Sequence, residues 1–183
     1  AHRRIVFNGN GYTEDWVKEA GRRGLFNLPA CADAFPCFIA EKNIALFTKH
    51  HVFTREEILS RYEIMQENYV KTINIEAKTM CSMMYKTFLP SLLSYIETIA
   101  EATEKTKKVL PSAPVISQEK LLSTLARLYT SISEMTEELK SAIAGADSIG
   151  DSMEKVRYFN YTVLAKMNGL RSFVDEAEAL IPE

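Results

Sequence analysis

From Thr54 onward, apolar residues return every three or four positions for almost the whole length of the chain. Ile58, Tyr62, Met65, Tyr69, Ile73, Ala77, Met80 and Met84 form one stripe, the spacing of a single helical face. Thr54 with Glu57 three residues later reads as a capping box, and hydrophobic Phe53 precedes it. The stripe reaches Leu89, where Pro90 either ends the helix or kinks it. Leu92, Leu93, Ile96 and Ile99 carry the pattern to about residue 108. "LPSAPVIS" has no helical period and reads as a linker. Ser117 is then the expected cap of a helix striped by Leu121, Leu122, Leu125, Leu128, Ile132, Met135, Leu139 and Ile143, which "AGADSIGD" breaks. The last stripe is Val156, Phe159, Val163, Met167, Leu170, Val174, Ala177 and Ile181. Apart from "RIVF", nothing alternates as a strand would. The pattern predicts an all-α fold: an antiparallel bundle of three to four long helices, preceded by short helices and turns.

Glycine and proline divide the chain unevenly. Four of the seven glycines (Gly9, Gly11, Gly21, Gly24) fall in the first 24 residues, and none lies between Gly24 and Gly145. Residues 1–53 therefore read as a turn-rich segment and 54–183 as the long-helix bundle. Within the first part, Thr13 with Glu14 and Asp15 marks a helix start that suits the helix dipole. Arg22, Arg23 and Gly24 mark its end. A second short helix is expected around Phe35 and Phe38, and a third short helix or turn in "EKNIALFTKHHVF".

Composition narrows the functional classes. The 183 residues are 46% hydrophobic and 25% charged with a net charge of -2, so a core is affordable and neither nucleic acid nor an anionic membrane is an expected partner. No apolar run is long enough to span a bilayer and no signal-peptide pattern opens the chain. The expected setting is cytoplasmic. Cys31, Cys37 and Cys81 lack zinc or redox spacing. They read as reduced thiols, although a Cys31–Cys37 disulfide is conceivable.

Each candidate for chemistry has a plain structural reading beside it. Asn8 to Gly11 precedes a helix start and could hold an anion. It lacks a Walker lysine, and a turn needing positive φ explains its glycines. His50 and His51 are neighbours and do not share a helical face, so a two-ligand metal site there is disfavoured. Glu56, Glu57, Glu63, Glu67 and Glu76 could suggest a carboxylate metal bundle, but no histidine follows His51. They read as a solvated face with partners such as Glu57 with Arg61 and Glu67 with Lys71. The methionines (Met65, Met80, Met83, Met84, Met135, Met153, Met167) read as core, with an adaptable binding face as the sharper alternative. No nucleophile, base and oxyanion hole come together. Catalytic, cofactor-binding and metal-ligating residues are all expected to be absent.

Two stretches, "RIVFNGNGYTEDWVKEAGRRGLFNLP" and "EKNIALFTKHHVFTREEILSRYEIMQENYVKTINIEAKTM", resemble the C-terminal portion of type III glutamine synthetases. The matching runs are N-G-N-G-Y, "RRGL", L-F-T-K-H-x-V-F and E-N-Y-x-K-T-I-N-I-E-A. The resemblance is dense from Arg4 to Met80 and looser beyond. It implies a parent enzyme that makes glutamine from glutamate, ammonia and ATP through γ-glutamyl phosphate, with a divalent metal (Mg or Mn). The family's metal, nucleotide and glutamate motifs lie upstream and are not found here. The chain is then expected to be a C-terminal domain continuing from a missing catalytic domain, inert by itself, with assembly or regulation as its role. Other subunits of the same enzyme, in the family's double-ring homo-oligomer, are the implied partners. In type I enzymes an N-L-Y-D-L-P loop carries an adenylylated tyrosine; the comparable "GLFNLP" has Phe26 there, with no hydroxyl to modify. The rival reading is a free-standing helical bundle that binds a partner helix. A domain cut from a larger protein should leave Ile5, Val6, Phe7 and Trp16 short of packing, whereas the rival predicts a compact N-terminus.

Overall fold

The computed structural model describes residues 6–182. The helices are α1 (Glu14–Arg22), α2 (Cys31–Phe38), α3 (Glu41–Lys49), α4 (Arg55–Met83), α5 (Leu89–Val109), α6 (Ile116–Gly145), α7 (Ser152–Tyr158) and α8 (Leu164–Glu178). Two π-helical turns, Met84–Phe88 and Phe159–Val163, join α4 to α5 and α7 to α8. No strand occurs among the described residues; Val6 and Phe7 are irregular, while Arg4 and Ile5 lie outside them. The chain divides into two compact units, residues 1–62 and 63–183, and the fold is all-α.

In the first unit the helices stop by one device used twice. Gly24 sits at φ 72; its N–H donates to Gly21 O, and the Leu25 N–H reaches back to Ala20 O at 3.0 Å. His51, at φ 54, repeats the pattern, donating to Thr48 O while the Val52 N–H reaches Phe47 O at 3.0 Å. These are Schellman stops, which satisfy the last carbonyls of α1 and α3. A histidine in the left-handed region is strained where glycine is not. His51→Gly is therefore expected to raise stability by about 1 kcal/mol and Gly24→Ala to lower it by a similar amount, read as shifts of the urea midpoint.

The start of α4 is the capping box foreseen in the sequence. The Thr54 N–H donates to the Glu57 carboxylate at 2.8 Å and the Glu57 N–H donates to Thr54 Oγ1 at 3.2 Å. Glu57 is thereby spent on the cap. Arg61, expected beside it, instead lies over the Phe53 ring, 4.5 Å from the centroid. Phe38, Phe47 and Phe53 form a chain of rings with centroids 6.1 and 5.8 Å apart. Ala32, Phe35, Ile44 and Ile58 are buried.

At the other side of this unit, Arg23 lies over both the Phe7 and Trp16 rings, 5.9 and 5.8 Å from their centroids. The two rings are 4.5 Å apart, and Arg23 also donates to Val6 O at 2.5 Å. Glu19 accepts from Arg22 and Arg23 at 2.6 Å each. These bonds hold its carboxyl down at about 2, from an ordinary 4.5. The folded carboxyl is depressed, so its contribution to stability is present above about pH 4.5 and lost as pH falls towards 2. Glu19→Gln is expected to flatten that acid limb, followed by Trp16 fluorescence in urea between neutral pH and pH near 2.

The second unit is an up-down-up bundle of three long helices. Hydrogen bonds and ion pairs fix the directions. Tyr85 pairs with Glu137 and Lys107 with Glu119, so α5 and α6 run antiparallel. Tyr158 donates to Ala142 O, Lys166 pairs with Glu138 and Arg127 with Glu176, so α6 is antiparallel to α7 and α8. Tyr69 donates to Asn160 Oδ1 at 2.7 Å. Further along, Met80 and Met167 line the same hollow, which sets the first and third helices parallel. Leu125, Leu128, Leu139, Val156, Val163 and Leu170 are all 0% exposed, each worth roughly 1.5–3 kcal/mol of apolar burial.

Pro90 does not end its helix. Phe88 and Leu89 keep helical dihedrals, and the Leu89 N–H donates to Met84 O, five residues back. Met84 and Leu89 are both buried, a step of five along the stripe. A π turn rotates the chain far enough to put both on the core side. Two expectations change. Leu93 is 52% exposed, since Leu89 and Leu92 hold the core face and Leu93 sits one position off it. The cap of α6 falls at buried Val115, with Ser117 already inside the helix. Asp151, the last residue of "AGADSIGD", caps α7 by accepting from the Glu154 N–H at 2.7 Å.

Candidate functional site

The Asn8–Gly11 stretch is organised by its own side chains. Asn10 Oδ1 accepts the Tyr12 N–H at 3.0 Å and the Thr13 hydroxyl donates to Asn10 O at 2.9 Å. Thr13 occupies the cap position of α1 but makes no side-chain cap bond. Gly24 is the one described glycine with positive φ, which corrects the reading of Gly9 and Gly11. What lies against Gly9 is a ring: a Cβ there would meet Phe7 Cζ at 2.6 Å and push it aside.

The other sequence candidates scatter. His50 and His51 end α3, where their backbone serves the stop described above. Cys31 and Cys37 are exposed and free. Six positions apart on one helix they are separated by about 9 Å of rise, beyond the roughly 7 Å reach of a disulfide. Cys81 is buried, and burial pushes its thiol up from the ordinary value. Of the proposed carboxylate partners, Glu67 pairs with Lys71 at 3.0 Å. Among the described residues no three His, Cys, Asp or Glu side chains come together as metal ligands. Phe26 is 82% exposed with the Lys42 ammonium 5.7 Å from its ring. Near the start of the described chain, Val6 and Tyr12 are exposed while Phe7 and Trp16 are half-buried.

The methionines do gather. On the second unit, Met80, Met83 and Met84 of the first long helix face Met167 and Val174 of α8 across a hollow of about 440 Å³, with Ile75 and Phe88 on its walls. Ile75 is 65% exposed and Met83 46%, so the hollow is open. Its rim is polar: Arg171 pairs with Asp175 at 2.5 Å, and Glu76 and Glu178 lie alongside. Phe88, Val174 and Glu178 continue it into a second hollow closed by Ile181 and Pro182. Flexible thioethers beside an aromatic suit an adaptable apolar contact. The periodicity placed Met80 and Met84 in one stripe; Met84 is buried, and Met83, one position off the stripe, faces outward. A separate hollow between α6 and the α7–α8 helix is lined by Glu134, Glu137 and Glu138 of α6 and by Lys166. Tyr85 donates to Glu137, and that bond pushes the Tyr85 hydroxyl up to about 12.

Fold and surface together define an all-α helical-bundle module with an open, methionine-lined groove. The chain belongs to the glutamine synthetase C-terminal domain family, whose model matches residues 1–107. It is similar to a glutamine synthetase of Butyrivibrio fibrisolvens, 41% identical over 183 residues and covering 100% of this chain. A type-3 glutamine synthetase of Dictyostelium discoideum is 31% identical over 186 residues and also covers 100% of the chain. A glutamine synthetase of Bacteroides fragilis (strain YCH46) is 24% identical, covering 98%. The chain spans about a quarter of the length of these relatives: 26%, 25% and 25%. The similarity runs well past Met80, where the sequence motifs alone become loose.

Proposed function

We propose that the chain is the C-terminal part of a longer, cytoplasmic glutamine synthetase. The parent joins ammonia to glutamate with ATP, through γ-glutamyl phosphate and with Mg or Mn. In this reading residues 1–53 continue from the catalytic domain, and residues 54–183 form a bundle that serves subunit assembly or regulation. The isolated chain is inactive and its partners are other subunits of the same homo-oligomer. The observation that carries this reading is the end-to-end similarity of the chain to one quarter of proteins named glutamine synthetases. The exposed apolar wall formed by Ile75 and Met83 supports the assembly role, since such surfaces suit subunit contacts.

The test is truncation of the full-length parent just before Thr54, with assembly followed by light scattering and activity by glutamine formation. Loss of the assembled species, with activity falling alongside it, is the expected result. An unchanged oligomer with unchanged activity would sink the proposal. The isolated 183-residue chain should form no glutamine under conditions where the parent does.

A further inference from the structure

Within the second unit, a small open cleft lies between α4 and the beginning of α7. It has a volume of about 230 Å³ and is lined by Gln66, Glu67, Val70, Lys71, Gly150, Ser152 and Lys155. Its floor is unusual. Gln66 is 3% exposed, yet its amide makes no hydrogen bond with any described residue. A buried amide without a partner is costly, so such groups as a rule have one. The amide is also not sealed in apolar packing. The one sealed, unpartnered side-chain atom among the described residues is Asn74 Oδ1, which leaves the Gln66 amide open to the cleft.

The charges around it are unequal. Lys71 is matched by Glu67 at 3.0 Å, whereas Lys155, half-buried, forms no ion pair among the described residues. The cleft therefore carries one uncompensated ammonium, an amide whose NH₂ and oxygen both lack a partner, and the Ser152 hydroxyl. With Glu67 matched by Lys71, the net charge of the lining is positive. We propose that this cleft binds a small oxyanion, the phosphate or carboxylate group of a small molecule, with Lys155 supplying the charge and Gln66 the hydrogen bond. The volume admits such a group with several waters, each of which takes about 30 Å³ in the liquid.

The 183-residue chain, labelled with ¹⁵N, is titrated with sodium phosphate and separately with sodium acetate, against sodium chloride at matched ionic strength. The expected result is a saturable shift of the Gln66 side-chain NH₂ and of the Ser152 amide with at least one of the two oxyanions and not with chloride. Stronger binding of phosphate identifies a phosphate site, and stronger binding of acetate a carboxylate site. Lys155→Met, which keeps most of the half-buried side chain's apolar length, should weaken that binding at least tenfold while leaving the helical circular dichroism unchanged. Gln66→Leu should do the same; if it unfolds the bundle, Lys155→Met decides alone. Shifts that follow ionic strength only, or binding that survives Lys155→Met, would overturn the proposal and leave the cleft as a water site.

Discussion

Leu128→Ala is expected to destabilise the second unit by about 3 kcal/mol. Leu128 is 0% exposed on α6, the central helix, which packs on both α5 and α8. The lost methyl groups cost their transfer energy, and helices pinned on both sides collapse little around the cavity, so its full cost remains. In a protein of this size that loss lowers Tm by about 10 °C. Urea unfolding followed by helical circular dichroism should show a lower midpoint with an unchanged slope, the mark of altered stability rather than an altered unfolded state. Leu128→Met, which nearly conserves volume, should cost under about 1.5 kcal/mol. An alanine variant with a wild-type midpoint would mean that α6 is not the centre of this core.

Phe159→Ala carries the other large effect, about 3–5 kcal/mol. Phe159 opens the π turn between α7 and α8, is 2% exposed, and lies edge-on to Tyr158 with centroids 6.5 Å apart. Tyr158 in turn donates to Ala142 O at 3.0 Å, so the two rings tie the third helix to α6 by packing and by a hydrogen bond. Phe159→Leu should recover more than half of the loss by refilling most of the space. Trp16, the sole tryptophan, lies in the first unit. Its fluorescence should therefore report the first unit's transition, while circular dichroism follows the bundle where these two substitutions act.

The long helices, their loops, the capping box at Thr54 and Glu57, and the stop at Gly24 are legible because each depends on residues within four or five positions. A helical period needs only side chains on one face, and a cap needs only its own first turn. The resemblance to type III glutamine synthetases was legible for a similar reason: it rests on contiguous words such as "ENYVKTINIEA". The errors fall where a residue's role depends on something distant. Thr136 was left out of the core stripe, yet it is 0% exposed, its hydroxyl donating to Ile132 O at 2.6 Å. Bonded to its own helix, it enters an apolar core at little cost. Gly9 and Gly11 were read as needing positive φ, when neither has it and what lies against Gly9 is the Phe7 ring.

The sequence by itself determined the class of fold, the order of the long helical segments, and the family, since periodicity, capping and shared words are properties of neighbouring residues. Tertiary structure decided which side of the helix is core at the first π turn. There the stripe steps by five, from Met84 to Leu89, to keep facing its partners, whereas at the second Phe159 and Val163 keep a step of four. That step keeps Leu89 and Leu92 in the core and lets Pro90 pass inside a continuous helix. It also took three-dimensional packing to bury Gln66 with its amide facing a cleft. Burial is a property of what surrounds a residue, and a linear pattern records only what precedes and follows it.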